Sequence, residues 1–270
     1  MRPDQRINWS IASARYRSRF CNKMKTVGII GGIGPESTIE YYRFIIAGYR
    51  ARKESGTGVP PVNNHAQDAR ATSYPSVIIN SIDLNRLIAW MNANELDSAA
   101  RYLSHEIERL ARAGADFGAL ASNTPHIVFD QIRARSPIPL ISIVESTCDA
   151  ARALGIKRVG LLGTRFTMQA RFYPEVFSRA GLDLIVPDEA EQDYIHEKYM
   201  GELLNNIFLP ETRAGLLEIV DRMKDRDGIE AIILGGTELP LILREAGANR
   251  LPFLDTTKIH VERIVQELLS

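Results

Sequence analysis

Two stretches of this 270-residue chain bring polar side chains to the end of an apolar run. Residues 115–126, ADFGALASNTPH, read as a buried strand that delivers Ser122, then Asn123 and Thr124, to a turn where a helix begins. Residues 230–240, EAIILGGTELP, repeat the layout and deliver Gly236, Thr237 and Glu238. The first N–H groups of a helix have no intrahelical acceptor, so hydroxyls and amides beside them suit the binding of an anion. Two such strand ends can face one ligand. A third helix start lies at residues 31–37, GGIGPES, where Gly31, Gly32 and Gly34 permit tight backbone geometry and Pro35 suits the first helical turn.

Other chemistries find less support. The glycine turn does not complete a dinucleotide fingerprint, because Ser37 stands where the third glycine belongs, and there is no phosphate-binding GxxxxGK[ST] loop. His65, His105, His196 and His260 lack the spacing of a metal site, so no metal is expected. The two cysteines, Cys21 and Cys148, are too few for a disulfide framework. Cys148 has apolar neighbours at helical spacing and reads as core. Thirty-three basic residues balance thirty-three acidic ones, which argues against nucleic-acid or membrane-surface binding. No apolar run reaches membrane-spanning length. A cytoplasmic location is the resulting expectation.

The elements that must hold these residues alternate. Strands are expected at residues 26–30, 77–81, 115–120, 136–144, 159–162, 183–187 and 231–234, with helical spacing after 35, across 96–110 and around 216–223. That pattern implies parallel sheets covered on both faces. Residues 157–168, KRVGLLGTRFTM, match the layout of 25–37, so the chain reads as α/β with two similar Rossmann-like lobes and a site in the cleft beyond the strand ends. Lobe 1 is expected over 25–140 with the C-terminal helix 255–270, and lobe 2 over 141–249. The arginine- and serine-rich residues 1–24 suit either a transit peptide or, preferably, a disordered extension. Residues 54–75 form a polar loop whose Arg70 is a candidate for neutralising a substrate carboxylate.

GGIGPEST, SNTPH, GTRFTMQARFY and LGGTELP, in this order along about 240 residues, resemble the aspartate/glutamate racemase superfamily, in its cofactor-independent aspartate and broad-specificity amino-acid racemase branch. The resemblance implies two pseudo-symmetric lobes, a homodimer, no cofactor, and a small amino acid held between two residues, commonly cysteines, one on each side of the α-carbon. A thiol suits both abstraction and return of a proton because its pKa is readily lowered. This chain departs from that pattern twice, with Ser122 in the first position and Gly236 in the second. Glycine carries no acid or base. Serine is a poor base unless a neighbour takes its proton, and His126 is the nearest candidate by sequence, with Glu238 a further one. Thr164, Thr167, Thr237, Asn123, Thr124, Gly34 and Pro35 complete the expected substrate-binding set. The lysine that some members use for a side-chain carboxylate falls where this chain has residues 201–206, GELLNN, so an aspartate preference does not follow. Three readings stand side by side: a thiol-less racemase, a lyase, decarboxylase or hydrolase on the same pocket, and an amino-acid-binding protein without turnover.

Overall fold

A computed structural model describes residues 24–56, 74–243 and 251–270. The N-terminal extension 1–23 with Cys21, and His65 and Arg70 of the polar loop, lie outside the described residues. The first half runs β1 (Thr26–Gly31), α1 (Pro35–Gly56), β2 (Ser76–Ser81), α2 (Leu84–Asn92), α3 (Leu96–Arg112), β3 (Phe117–Leu120), a 3-10 helix (Thr124–Val128), α4 (Phe129–Arg135) and β4 (Leu140–Ile141). The second runs α5 (Ile143–Ala153), β5 (Arg158–Gly163), α6 (Arg165–Gln169), α7 (Phe172–Arg179), β6 (Asp183–Ile185), α8 (Glu189–Gly201), α9 (Pro210–Asp227), β7 (Ala231–Gly235), α10 (Leu239–Leu243), β8 (Phe253–Asp255) and α11 (Thr256–Leu269). A second 3-10 turn, Leu203–Asn205, follows α8.

The strands form two parallel four-stranded sheets with the same order, β2-β1-β3-β4 and β6-β5-β7-β8. The fold is therefore α/β with two pseudo-symmetric lobes, as the alternation predicts. β1, β3 and β7 are almost wholly buried, which explains why they read as continuous apolar runs. Their glycines allow helices to lie close. A Cβ at Gly28 would sit 2.9 Å from the Ala115 Cβ and 3.1 Å from the Leu110 Cβ of α3, and one at Gly160 would meet Ile229 and the Met223 of α9 at 3.0 and 3.1 Å.

Helix ends follow local chemistry. Ser142 caps α5 by accepting from the Glu145 N–H at 3.3 Å, and Asp188 with Glu191 forms a reciprocal capping box at the start of α8. α9 begins on Pro210 and stops at Gly228, whose φ of 64° lies in the left-handed region that favours glycine. The Ser142 cap corrects one expectation: residues 136–144 make only the two-residue strand β4, because the cap turns Ile143 and Val144 into the first turn of a helix. The apolar patterns predict neither α2 nor α8.

α11 returns to the first sheet, where Val261, Ile264, Val265 and Leu268 pack with Val27, Ile29, Tyr41, Ile45 and Tyr49. Cys148 is buried in the core of the second half. Among the described residues no helix is long and apolar enough to cross a membrane.

The tight approach at Gly28 sets a stability test. Gly28→Ala should destabilise the fold by about 1–3 kcal/mol, because backbone-anchored Cβ atoms must move aside. Gly48→Ala, whose new Cβ meets Val265 at an ordinary 3.4 Å on α1, should be neutral or stabilise by up to about 1 kcal/mol. Urea unfolding of the two variants measures the contrast, and equal effects would contradict it.

Candidate active site

The two sheets place their central strand ends in equivalent positions. Ile30 of β1 pairs with Leu120 of β3, and Leu162 of β5 pairs with Leu234 of β7. Two residues further on, Ser122 and Gly236 occupy matching places, each followed by a short helix, Thr124–Val128 or Leu239–Leu243. A cavity of about 430 Å³ opens at these strand ends; Ser122 lines it, whereas Gly236 itself does not and its neighbours Thr237 and Glu238 do. The polar lining comprises Asn92, Ser122, Thr124, Thr164, His196, Tyr199, Thr237 and Glu238, with the backbone of Gly34. Leu84, Leu87, Ile88 and Met91 of α2, with Phe166, Met200 and Leu204, make an apolar wall.

The expected site residues divide into those that reach the cavity and those that support it. Ser122, Thr124, Thr164, Thr237, Glu238 and Gly34 reach it. Gly34, with φ of 85°, supplies a backbone conformation that L side chains rarely adopt. Pro35 opens α1 and is not in the lining. Thr167 is buried and supports Thr164: their hydroxyls lie 3.3 Å apart, and the Thr167 N–H donates to the Thr164 hydroxyl at 3.4 Å.

The Asn123 side chain is spent elsewhere. Its carbonyl accepts from the Tyr173 hydroxyl at 2.7 Å, and its amide donates to the Thr256 hydroxyl at 3.2 Å. Thr256 in turn donates to the Leu234 carbonyl at 2.9 Å. This buried chain ties the end of β3 to α7, α11 and β7.

His126 is likewise engaged by backbone. The Ile143 N–H donates to Nε2 at 3.2 Å, which leaves the proton of the neutral ring on Nδ1, pointed at the Ser122 carbonyl at 3.0 Å. The structure thus brings His126 to the backbone of Ser122 and not to its hydroxyl. Burial, aided by the neighbouring His260, lowers the His126 pKa to about 3. His260 donates from Nε2 to the Ile141 carbonyl at 3.0 Å and accepts from the Tyr41 hydroxyl at 2.8 Å. Burial lowers its pKa to about 4.

Gly236 has a neighbour that sequence spacing does not reveal. A Cβ built there would collide with the Tyr199 hydroxyl and would stand 2.6 and 2.8 Å from its Cε2 and Cζ atoms. Tyr199 is 4% exposed and donates its hydroxyl proton to Glu238 Oε2, which also accepts from the Thr237 hydroxyl at 2.8 Å. Burial, then the Glu238 charge, hold the Tyr199 phenol well above its ordinary pKa, so it stays protonated.

His196, one turn before Tyr199 on α8, accepts from the Arg165 N–H at 3.3 Å. Its pKa is lowered, by partial burial first and then by Arg165. The capping-box spacing of Asp188 and Glu191 is a sequence signal for α8, and His196 and Tyr199 share a face at i, i+3. Among the described residues no lysine or arginine lines the cavity, and no group of His, Cys, Asp or Glu could hold a metal ion.

With that geometry in view, the profile of the Asp/Glu/hydantoin racemase family matches residues 30–264. The chain belongs to this family. It is 25% identical over 166 residues to the broad-specificity amino-acid racemase RacX of Bacillus subtilis, a match covering 62% of this chain and 66% of that one. A solved structure of an aspartate racemase homologue from Pyrococcus horikoshii superposes with a TM-score of 0.73 at 29% identity, covering 92% of this chain and 100% of the other. An Asp/Glu racemase candidate from Yersinia pestis superposes with a TM-score of 0.79, also at 29% identity and with the same coverage.

The buried histidines generate a pH prediction. In the unfolded chain both take up protons near pH 6.5, whereas in the fold they do so only near 4 and 3. Their contribution is therefore full above about pH 6.5 and is lost as pH falls through that window, at up to about 1.4 kcal/mol per pH unit for each. Urea unfolding from pH 7.5 to 4.5 should show this loss, and His260→Gln should flatten it while lowering stability throughout. A wild-type stability that is level across the range would contradict the assignment.

Proposed function

We propose that the protein is a cofactor-independent amino-acid racemase that removes an α-proton and returns one to the opposite face. The observation that carries this reading is the pair of equivalent strand ends that open into one cavity, with Ser122 lining it on one side and Thr237 and Glu238, just after Gly236, on the other. The hydroxyls of Thr124 and Thr164, beside the starts of short helices, are suited to the substrate carboxylate, while the Thr237 hydroxyl proton is given to Glu238. Removing the α-proton turns that carboxylate into a dianion, and donors already aimed at it stabilise the developing charge without reorganising. Ser122 stands on one face of the α-carbon and the Gly236 strand end on the other.

The lining also argues for a substrate class. The wall of α2 with Phe166, Met200 and Leu204 offers a side chain aliphatic and aromatic contacts and no described cation. Among the described residues a carboxylate pressed against it would meet no cation and, on α2, only the Asn92 amide, and burying a charge unpaired costs more than the about 1–3 kcal/mol of an unpaired hydroxyl or amide. Amino acids with apolar side chains are the expected substrates.

Proton NMR in deuterated water, with a panel of L- and D-amino acids, tests both points. Apolar amino acids should lose their α-proton signals, about tenfold or more faster than aspartate and glutamate. Exchange confined to aspartate or glutamate would overturn the substrate class. No exchange with any amino acid would overturn the racemase reading, and new products without exchange would favour a lyase or hydrolase.

A further inference from the structure

We infer that Tyr199 carries the proton on the Gly236 face of the cleft, with Glu238 as the second member of a relay. This rests on the racemase reading and supplies what that reading lacks, a proton carrier opposite Ser122. The sheets are equivalent in strand order and in the pairing of their central strands, yet of the two matched positions only Ser122 bears a side chain with an exchangeable proton, Gly236 having none. At the other, the space into which a side chain would project is taken by the phenol of Tyr199. The hydroxyl therefore lies where the fold's own symmetry calls for an acid or base, although it arrives from α8 and not from the strand.

Its surroundings fit the task. Tyr199 and Glu238 both line the cavity, and the phenol donates to the carboxylate. Thr237 donates to the same carboxylate oxygen, which fixes its position. His196, a further titratable group in the described lining, has its Nδ1 occupied by the Arg165 N–H.

A buried phenol next to a carboxylate resists ionisation, so it serves as a base only if its own proton leaves as another arrives. In the forward step the substrate Cα–H bond breaks and its proton forms a new O–H bond on Tyr199. The original phenolic proton passes to Glu238, which becomes a neutral carboxylic acid, and the electron pair left on the α-carbon spreads into the substrate carboxylate. The reverse step returns the Tyr199 proton to the α-carbon and the Glu238 proton to Tyr199. Charge and protons balance, and the phenol is neutral before and after. Glu238 lines the cavity and exchanges its proton with water there, so the relay introduces solvent deuterium.

A buried Tyr–Glu hydrogen bond can also be purely structural, so the test must read something packing does not move. α-Hydrogen washout in deuterated water is measured separately for the L and D forms of one apolar amino acid, with thermal melting as the control for folding. Tyr199→Phe should lose about 100-fold or more in washout from one enantiomer and keep that from the other within about threefold. Ser122→Ala should show the mirror pattern, and Glu238→Gln should follow Tyr199→Phe. If Tyr199→Phe fails to fold, Glu238→Gln decides alone by the same asymmetry. Wild-type washout that Tyr199→Phe leaves unchanged, or an equal loss from both enantiomers in a variant that melts normally, would overturn the Tyr199 assignment and leave the racemase reading standing. No washout by the wild-type protein with any amino acid would overturn that reading, and the relay with it.

Discussion

The geometry of the cleft depends on two neutral histidines buried where the chain passes from the first sheet to the second. His260 holds the carbonyl of Ile141 and His126 holds the N–H of Ile143, so the junction between β4 and α5 is gripped from both sides. Through its other nitrogen His126 also fixes the Ser122 carbonyl. The chain Tyr173, Asn123, Thr256 and Leu234 adds a second tie, from the end of β3 to α7, α11 and β7. Polar groups in such a seam are satisfied only in one arrangement, which makes the separation of the strand ends specific and not adjustable.

That rigidity explains a division of labour along the SNTPH segment. Ser122 and Thr124 face the cavity, while Asn123 bonds the side chains of Tyr173 and Thr256 and His126 bonds the backbone of Ser122 and Ile143. Neighbouring residues of one motif thus serve opposite sides of the same turn. The second strand end has a different solution. Gly236 leaves room that α8 fills with Tyr199, and Glu238 accepts the phenolic proton. The two sheets share their strand order, and the asymmetry at the cleft lies in how each strand end is furnished.

The fold was legible because buried parallel strands such as VGIIG and VGLLG write themselves as unbroken apolar runs ending in glycine. The strand ends were legible for the same reason, since each motif follows its strand directly. Two parts were hidden. The run through residues 136–144 has strand-like composition, and only the Ser142 cap, which reaches the Glu145 N–H, turns its end into a helix. α8 buries Glu191, Gln192, Ile195 and Tyr199, a mixture with no apolar stripe, so periodicity cannot find it. Its Tyr199 approaches Gly236 from thirty-seven residues away. No local spacing encodes that contact, and the orientation of the His126 ring toward backbone is equally a property of the packed structure.

The most direct measurement of the central claim is a crystal structure of the protein with an apolar amino acid, or an unreactive analogue of one, bound in the cleft. The account predicts an α-carbon lying between the Ser122 hydroxyl and the Tyr199 hydroxyl, about 3–4 Å from each, with the carboxylate on the threonine hydroxyls and the side chain against α2. A ligand whose α-carbon approaches neither hydroxyl, or that binds only after Tyr199 has left the space above Gly236, would contradict it.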